Sequence, residues 1–143
     1  MQADIHIDFY FDNVDIEGFD KERILDQLMR VLREEGAEEG MIQYVFCDDD
    51  KMLAINQQYL NHDTLTDIIT FGYHEELGGI SGDIYISYPR VLENAENYGE
   101  ERGKELLRVM IHGVLHLLGY EDQTAADKER MRAKENYYLS LQA

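Results

Sequence analysis

The chain has 143 residues, 44% hydrophobic and 30% charged, a balance that excludes a disordered chain and fits one domain spanning residues 1–143 with a core large enough to need no staples. A net charge of −17 excludes a simple non-specific nucleic-acid binder, because phosphates would be repelled. No stretch is apolar enough to span a bilayer; the start MQADIHIDFYF lacks a secretory pattern, and the single Cys47 suits a reducing cytoplasm.

Ile5, Ile7 and Phe9 alternate with polar neighbours, the period of a first strand. Asp20 caps a helix that runs to about Glu35 and stops at Gly36, with Ile24, Leu25, Leu28, Val31 and Leu32 as its apolar stripe. Ile42, Tyr44 and Phe46 mark a second strand. Asp48, Asp49 and Asp50 then read either as a metal-binding acidic loop or, by capping preference, as the start of a short helix reaching about Tyr59.

Residues 66–71 (TDIITF) are β-branched and aromatic, a third strand; a polar connection from Gly72 to Gly79 leads to a fourth over 82–88, antiparallel to it. Pro89 opens a helix to about Asn97. A long apolar helix over 101–118 ends at Gly119. Thr124 and Asp127 then form a capping box that opens the last helix, where Met131, Tyr138 and Leu141 face the core. The order βαβαββααα predicts an α+β domain, a small mixed four-stranded sheet with helices packed on it.

The chemistry is concentrated in residues 111–122 (IHGVLHLLGYED). Four residues turn a helix by about 400°, so His112 and His116 project from one face, one turn apart, a spacing at which two imidazoles grip one ion. Gly119 permits a sharp helix stop, after which the chain folds back and delivers Asp122 as a third ligand. Three protein ligands leave a fourth tetrahedral position for water, the arrangement of a catalytic zinc, one per chain. The same donor set also suits Fe(II) for oxygenase chemistry, although the spacing on a helix favours zinc. Gly113 stands where a zincin protease motif H-E-x-x-H would carry its general-base glutamate, which weakens a peptidase reading.

Residues 102–134 carry seven basic side chains (Arg102, Lys104, Arg108, Lys128, Arg130, Arg132, Lys134) against five acidic ones, a local +2 that leaves −19 for the rest. The motif thus lies in the one long stretch that is not acidic, read either as ordinary helix solubility or as an anion-tolerant mouth.

The segment HGVLHLLGY resembles the motif of the YbeY family of bacterial ribosome-maturation proteins, and the resemblance extends to Asn56 and Tyr59, to Thr66, Asp67 and Phe71, and to Gly82-Asp83-Ile84. It implies an α+β fold and a cytoplasmic, zinc-dependent, single-strand-selective endoribonuclease that matures the 3′ end of small-subunit rRNA and serves ribosome quality control. Its implied partners are single-stranded RNA and the small subunit or its assembly proteins, with neither DNA nor membrane. His112 and His116 match the two helical ligands. Asp122 stands where the family usually has a third histidine, which implies weaker acidification of bound water and a softer metal preference.

Leu60 stands where the family commonly has an arginine implicated in activity. Arg108, one turn before His112, is the candidate to supply that charge, or a plain solvated helix residue. Glu121 is a weaker candidate for a general base. Tyr73, Tyr85 and Tyr88 read either as base-stacking groups or as strand packing. The competing classes are a metallopeptidase or other metal hydrolase, and a non-catalytic ribosome-assembly module whose zinc only holds the helix and its loop.

Overall fold

A computed structural model of the chain describes residues 4–60, 66–73 and 79–141. Its elements in chain order are β1 (Asp4–Phe11), α1 (Lys21–Glu34), β2 (Glu39–Cys47), α2 (Asp49–Leu60), β3 (Ile68–Tyr73), β4 (Ile80–Ser87), α3 (Tyr88–Tyr98), α4 (Arg102–Leu117) and α5 (Ala125–Ser140). The four strands form one sheet in the order β1-β2-β4-β3; β1 and β4 both run parallel to β2, and β3 runs antiparallel to β4. The expected α+β architecture with a mixed four-stranded sheet is what the chain adopts.

The element ends follow from local chemistry. Asp20 caps α1 by accepting the Arg23 N–H at 3.2 Å. The acidic run resolves as capping: Asp48 accepts the Lys51 N–H at 2.9 Å, and Asp49 accepts from the Ser87 hydroxyl at 2.7 Å and pairs with Arg90 at 3.1 Å. Thr124 and Asp127 form the expected capping box. The expected connection from Gly72 to Gly79 is shorter, because β3 continues to Tyr73, where Tyr73 pairs with Ser81, and β4 starts at Ile80; residues 74–78 lie outside the described residues. Tyr88 leaves the strand and becomes the first residue of α3, because Ser87 caps that helix through the Arg90 N–H.

Alternation along β1, β2 and β4 places Ile7, Ile42, Tyr44, Phe46, Ile84 and Ile86 in one buried core with Leu28, Val31 and Leu32 of α1 and with α4. α4 is buried along most of its length. It is tied to the sheet by the Tyr44 hydroxyl, which donates to the Met110 carbonyl at 2.8 Å. Two glycines set how closely it approaches. A Cβ on Gly113 would lie 2.9 Å from Ile84 Cγ2 and 3.1 Å from Ile68 Cδ1, and one on Gly82 would lie 2.6 Å from Leu117 Cδ2. A Cβ at position 113 would force Ile84 and Ile68 to shift, so the glycine that stands in place of the zincin glutamate also serves the close packing of α4 on the sheet.

Candidate metal centre

His112 and His116 project from one face of α4 into a cleft that Asp67, Ile68 and Thr70 also line. Asp122 reaches them from the loop after the helix. That loop is built by a Schellman turn: the Gly119 N–H donates to the His116 carbonyl at 3.0 Å and the Tyr120 N–H to the Leu115 carbonyl at 3.0 Å. It requires the left-handed backbone that Gly119 adopts, with φ of 105°.

The turn is then clamped from outside. Glu35, at the end of α1, accepts the Tyr120 hydroxyl at 2.6 Å, the Lys134 ammonium at 3.0 Å and the Tyr138 hydroxyl. Burial alone would raise the Glu35 carboxyl, but these three donors outweigh it and hold the group below its ordinary range. The Arg130 guanidinium covers the Tyr120 ring at 5.2 Å.

The three side chains that the sequence proposes as ligands converge. Nε2 of His112 lies 3.3 Å and Nε2 of His116 lies 3.4 Å from Oδ2 of Asp122, and all three donor atoms lie within 4.8 Å of one another. Among the described residues this is the one such group of three ligating side chains. Charge-assisted hydrogen bonds between these groups would close to about 2.7–2.9 Å. Ligand bonds of about 2.0–2.1 Å at a tetrahedral angle place neighbouring donors about 3.3–3.4 Å apart. The two separations to Asp122 match the spacing of donors that could share one ion.

His112 is oriented by a residue that the sequence did not reveal. Its Nδ1 lies 2.8 Å from a Glu135 carboxylate oxygen on α5. With the ring proton held on Nδ1, the Nε2 lone pair faces Asp122. Burial would lower the His112 pKa, but the Glu135 carboxylate, aided by Asp122 and Asp67, raises it. Glu135 is itself 5% exposed and is compensated by Arg108, whose guanidinium lies 3.4 Å from its second oxygen. Arg108 also donates to Asn136 Oδ1 at 2.8 Å and lies 3.7 Å from Glu105. Its guanidinium is thus buried and already engaged by protein acceptors.

These groups line a cleft of 440 Å³ between β3, α3, α4 and α5. Asp67 sits on the wall opposite α5, where Asn94 donates to its Oδ2 at 3.1 Å. Burial pushes this carboxyl upward, and nearby His112 offsets only part of the rise. Glu121 is exposed and opens on separate depressions beside Tyr120. Leu60 is 43% exposed at the end of α2 and does not line the cleft.

None of the three tyrosines considered for base stacking lines the cleft. Tyr73 donates to Asp83 at 2.6 Å, Tyr85 packs edge-on against Phe71, and Tyr88 packs against the main core. The tyrosine on the cleft is Tyr98, at the end of α3.

A family model described as Endoribonuclease YbeY matches residues 6–142. An Endoribonuclease YbeY of Flavobacterium psychrophilum is 50% identical over 129 residues, which cover 90% of this chain and 91% of the relative. One from Parabacteroides distasonis is 39% identical over 135 residues, 94% of each chain. Among solved structures, the solution structure of TM1509 from Thermotoga maritima superposes with a TM-score of 0.65 at 28% identity, over 95% of this chain and 87% of that one. No described helix is long and apolar enough to cross a membrane.

Proposed function

This chain belongs to the YbeY endoribonuclease family, and from that premise we propose that it is a zinc-dependent, single-strand-selective endoribonuclease. We propose further that it matures the 3′ end of small-subunit rRNA and serves ribosome quality control in the cytoplasm, alongside the small subunit or its assembly proteins. The observation that supports the metal reading is the pair of Nε2–Oδ2 separations, 3.3 and 3.4 Å, among His112, His116 and Asp122.

Zinc, when bound, supplies Lewis acidity toward a phosphoryl oxygen and acidifies water, the latter less strongly beside a carboxylate ligand than beside three neutral imidazoles. The protein's part is positional. Glu135 holds the proton of His112 on Nδ1, and Arg108 neutralises Glu135, so Arg108 acts through two neighbours as a positioning residue and not as a phosphate contact. Asp67 faces the same cleft as the ligands, and its carboxylate is the proton acceptor that the geometry favours over Glu121. A metallopeptidase of the zincin type lacks its general base, since Gly113 stands where that motif carries its glutamate.

The test pairs metal analysis of purified protein with cleavage of a labelled single-stranded RNA. The expected result is one zinc per chain, activity abolished by a chelator and restored by zinc, and a loss of more than about 100-fold on removal of a ligand in His116→Ala or Asp122→Ala. Undiminished cleavage by protein free of metal would end the proposal. A chelated protein that unfolds would instead point to a structural ion.

A further inference from the structure

Positive charge is scarce in this chain, with 13 basic against 30 acidic side chains, and most of it near the site is engaged. Lys104 pairs with Glu100 at 3.5 Å, Arg108 with Glu135, Lys134 with Glu35 at 3.0 Å, and Arg130 covers Tyr120. Lys128 and Arg132 differ. They lie one turn apart on α5, are exposed, and both line the cleft that holds His112, His116 and Asp122. Neither side chain forms an ion pair or hydrogen bond among the described residues, although Arg132 lies near enough to Glu105 to favour its ionised form.

At the mouth of a cleft whose wall also carries Asp67, Glu105, Asp122 and Glu135, these two cations without an ion pair are the groups free to attract an incoming anion. Across the cleft stands Tyr98. It is 65% exposed and is the one exposed large hydrophobic side chain of the described residues that lines this cleft. A ring in that position offers a stacking platform to any base not already stacked in a duplex.

We infer that Lys128 and Arg132 hold the phosphodiester backbone of the substrate and that Tyr98 stacks on one of its bases, so that α5 and α3 together admit a single strand. The inference rests on the endoribonuclease reading and assigns its substrate contacts. α5 supplies the phosphate-binding charge that Leu60 cannot supply and that Arg108, occupied by Glu135, Asn136 and Glu105, does not offer. Stacking on Tyr98 selects unpaired bases, because a base in a helix presents its edges and not its face.

The experiment uses the zinc-loaded protein, initial rates on a labelled single-stranded RNA, and anisotropy of a 2′-O-methyl oligonucleotide that resists cleavage. Lys128→Gln with Arg132→Gln is expected to raise KM and the oligonucleotide Kd about 10-fold, leave kcat within about two-fold, and flatten the slope of log K against log salt by about 1.4, roughly 0.7 for each phosphate that the variant no longer neutralises. Lys21→Gln with Arg33→Gln removes the same charge from α1, away from the cleft, and is expected to change neither.

Tyr98→Ala is expected to weaken binding about 5- to 100-fold while Tyr98→Phe keeps it. All these positions are exposed, so unchanged thermal melting is expected throughout. A wild type that cleaves RNA beside a Lys128/Arg132 variant with unaltered KM, Kd and salt slope would overturn the inference alone, as would Tyr98→Phe as damaged as Tyr98→Ala. A wild type that turns over no RNA would overturn the endoribonuclease reading itself, and this inference with it.

Discussion

Glu135 determines what His112 can do. An imidazole has one bare nitrogen when neutral, and a carboxylate 2.8 Å from Nδ1 fixes the proton there. Glu135→Gln keeps the shape and removes the charge, so the ring loses both its preferred tautomer and part of its basicity. Zinc affinity, measured by competition with a chromogenic chelator, is expected to fall about 10- to 100-fold; an unchanged affinity would show that α4 alone orients the ring.

This residue was out of reach of spacing rules, which read ligands within one helix and its loop. Glu135 is 23 positions from His112 on another helix. Its one trace in the sequence is that it shares a stripe with Met131 and Tyr138, where a carboxylate is costly unless paired. The convergence of the proposed ligands was legible because helix geometry alone brings His112 and His116 together. Gly113 was legible as a missing glutamate but not as a contact with Ile84 and Ile68, and Tyr98 was hidden because no local pattern distinguishes a cleft-lining tyrosine from any other.

At the level of elements, α4 carries two of the proposed ligands while the loop after it carries the third, so the site is only as rigid as the joint between them. The Schellman turn sets the direction of that joint, and Glu35 fixes it by receiving hydrogen bonds from Tyr120, Lys134 and Tyr138. The carboxyl is held below its ordinary value of 4.5. Its contribution to stability is therefore fully present above that value and is lost as pH falls through the lower pKa of the folded protein.

Glu35→Gln is expected to destabilise the fold by about 1.5–3 kcal/mol near neutrality, the range for hydrogen bonds to a charged acceptor. The gap to wild type should narrow as pH drops below 4.5. Denaturant titrations at pH 7 and pH 4 check both statements, and a gap that widens in acid would refute the assignment. Helix limits were readable at this scale, since Asp20, Gly36, Gly119 and Thr124 punctuate regular periodicity. The strand order β1-β2-β4-β3 was not, because the parallel pairing of β4 with β2 joins residues about 40 apart and leaves no local mark.

Over the whole molecule, a net charge of −17 acts on folding and on substrate binding with opposite signs of salt dependence. Within the protein, acidic side chains repel one another, and the Debye length shrinks from about 30 Å at 0.01 M to about 8 Å at 0.15 M. Screening should therefore stabilise the fold: the melting temperature of the metal-free protein is expected to rise by roughly 2–4 °C over that range, equivalent to about 1 kcal/mol.

Binding of a single-stranded oligonucleotide at Lys128 and Arg132 should weaken over the same range, because salt restores the counterions released on binding. Both quantities are measurable on the same samples, by calorimetry and by anisotropy. The surface pairs Lys104–Glu100 and Arg30–Glu34 oppose the first trend, since salt screens attraction as well as repulsion. Exposed pairs of this kind contribute about 0–1 kcal/mol each, and the acidic side chains outnumber every available cation by more than two to one. A melting temperature that falls with salt would mean that local pairing governs the stability of this chain, and net charge would then have no hold on folding while the local field at the cleft still acted on the incoming strand.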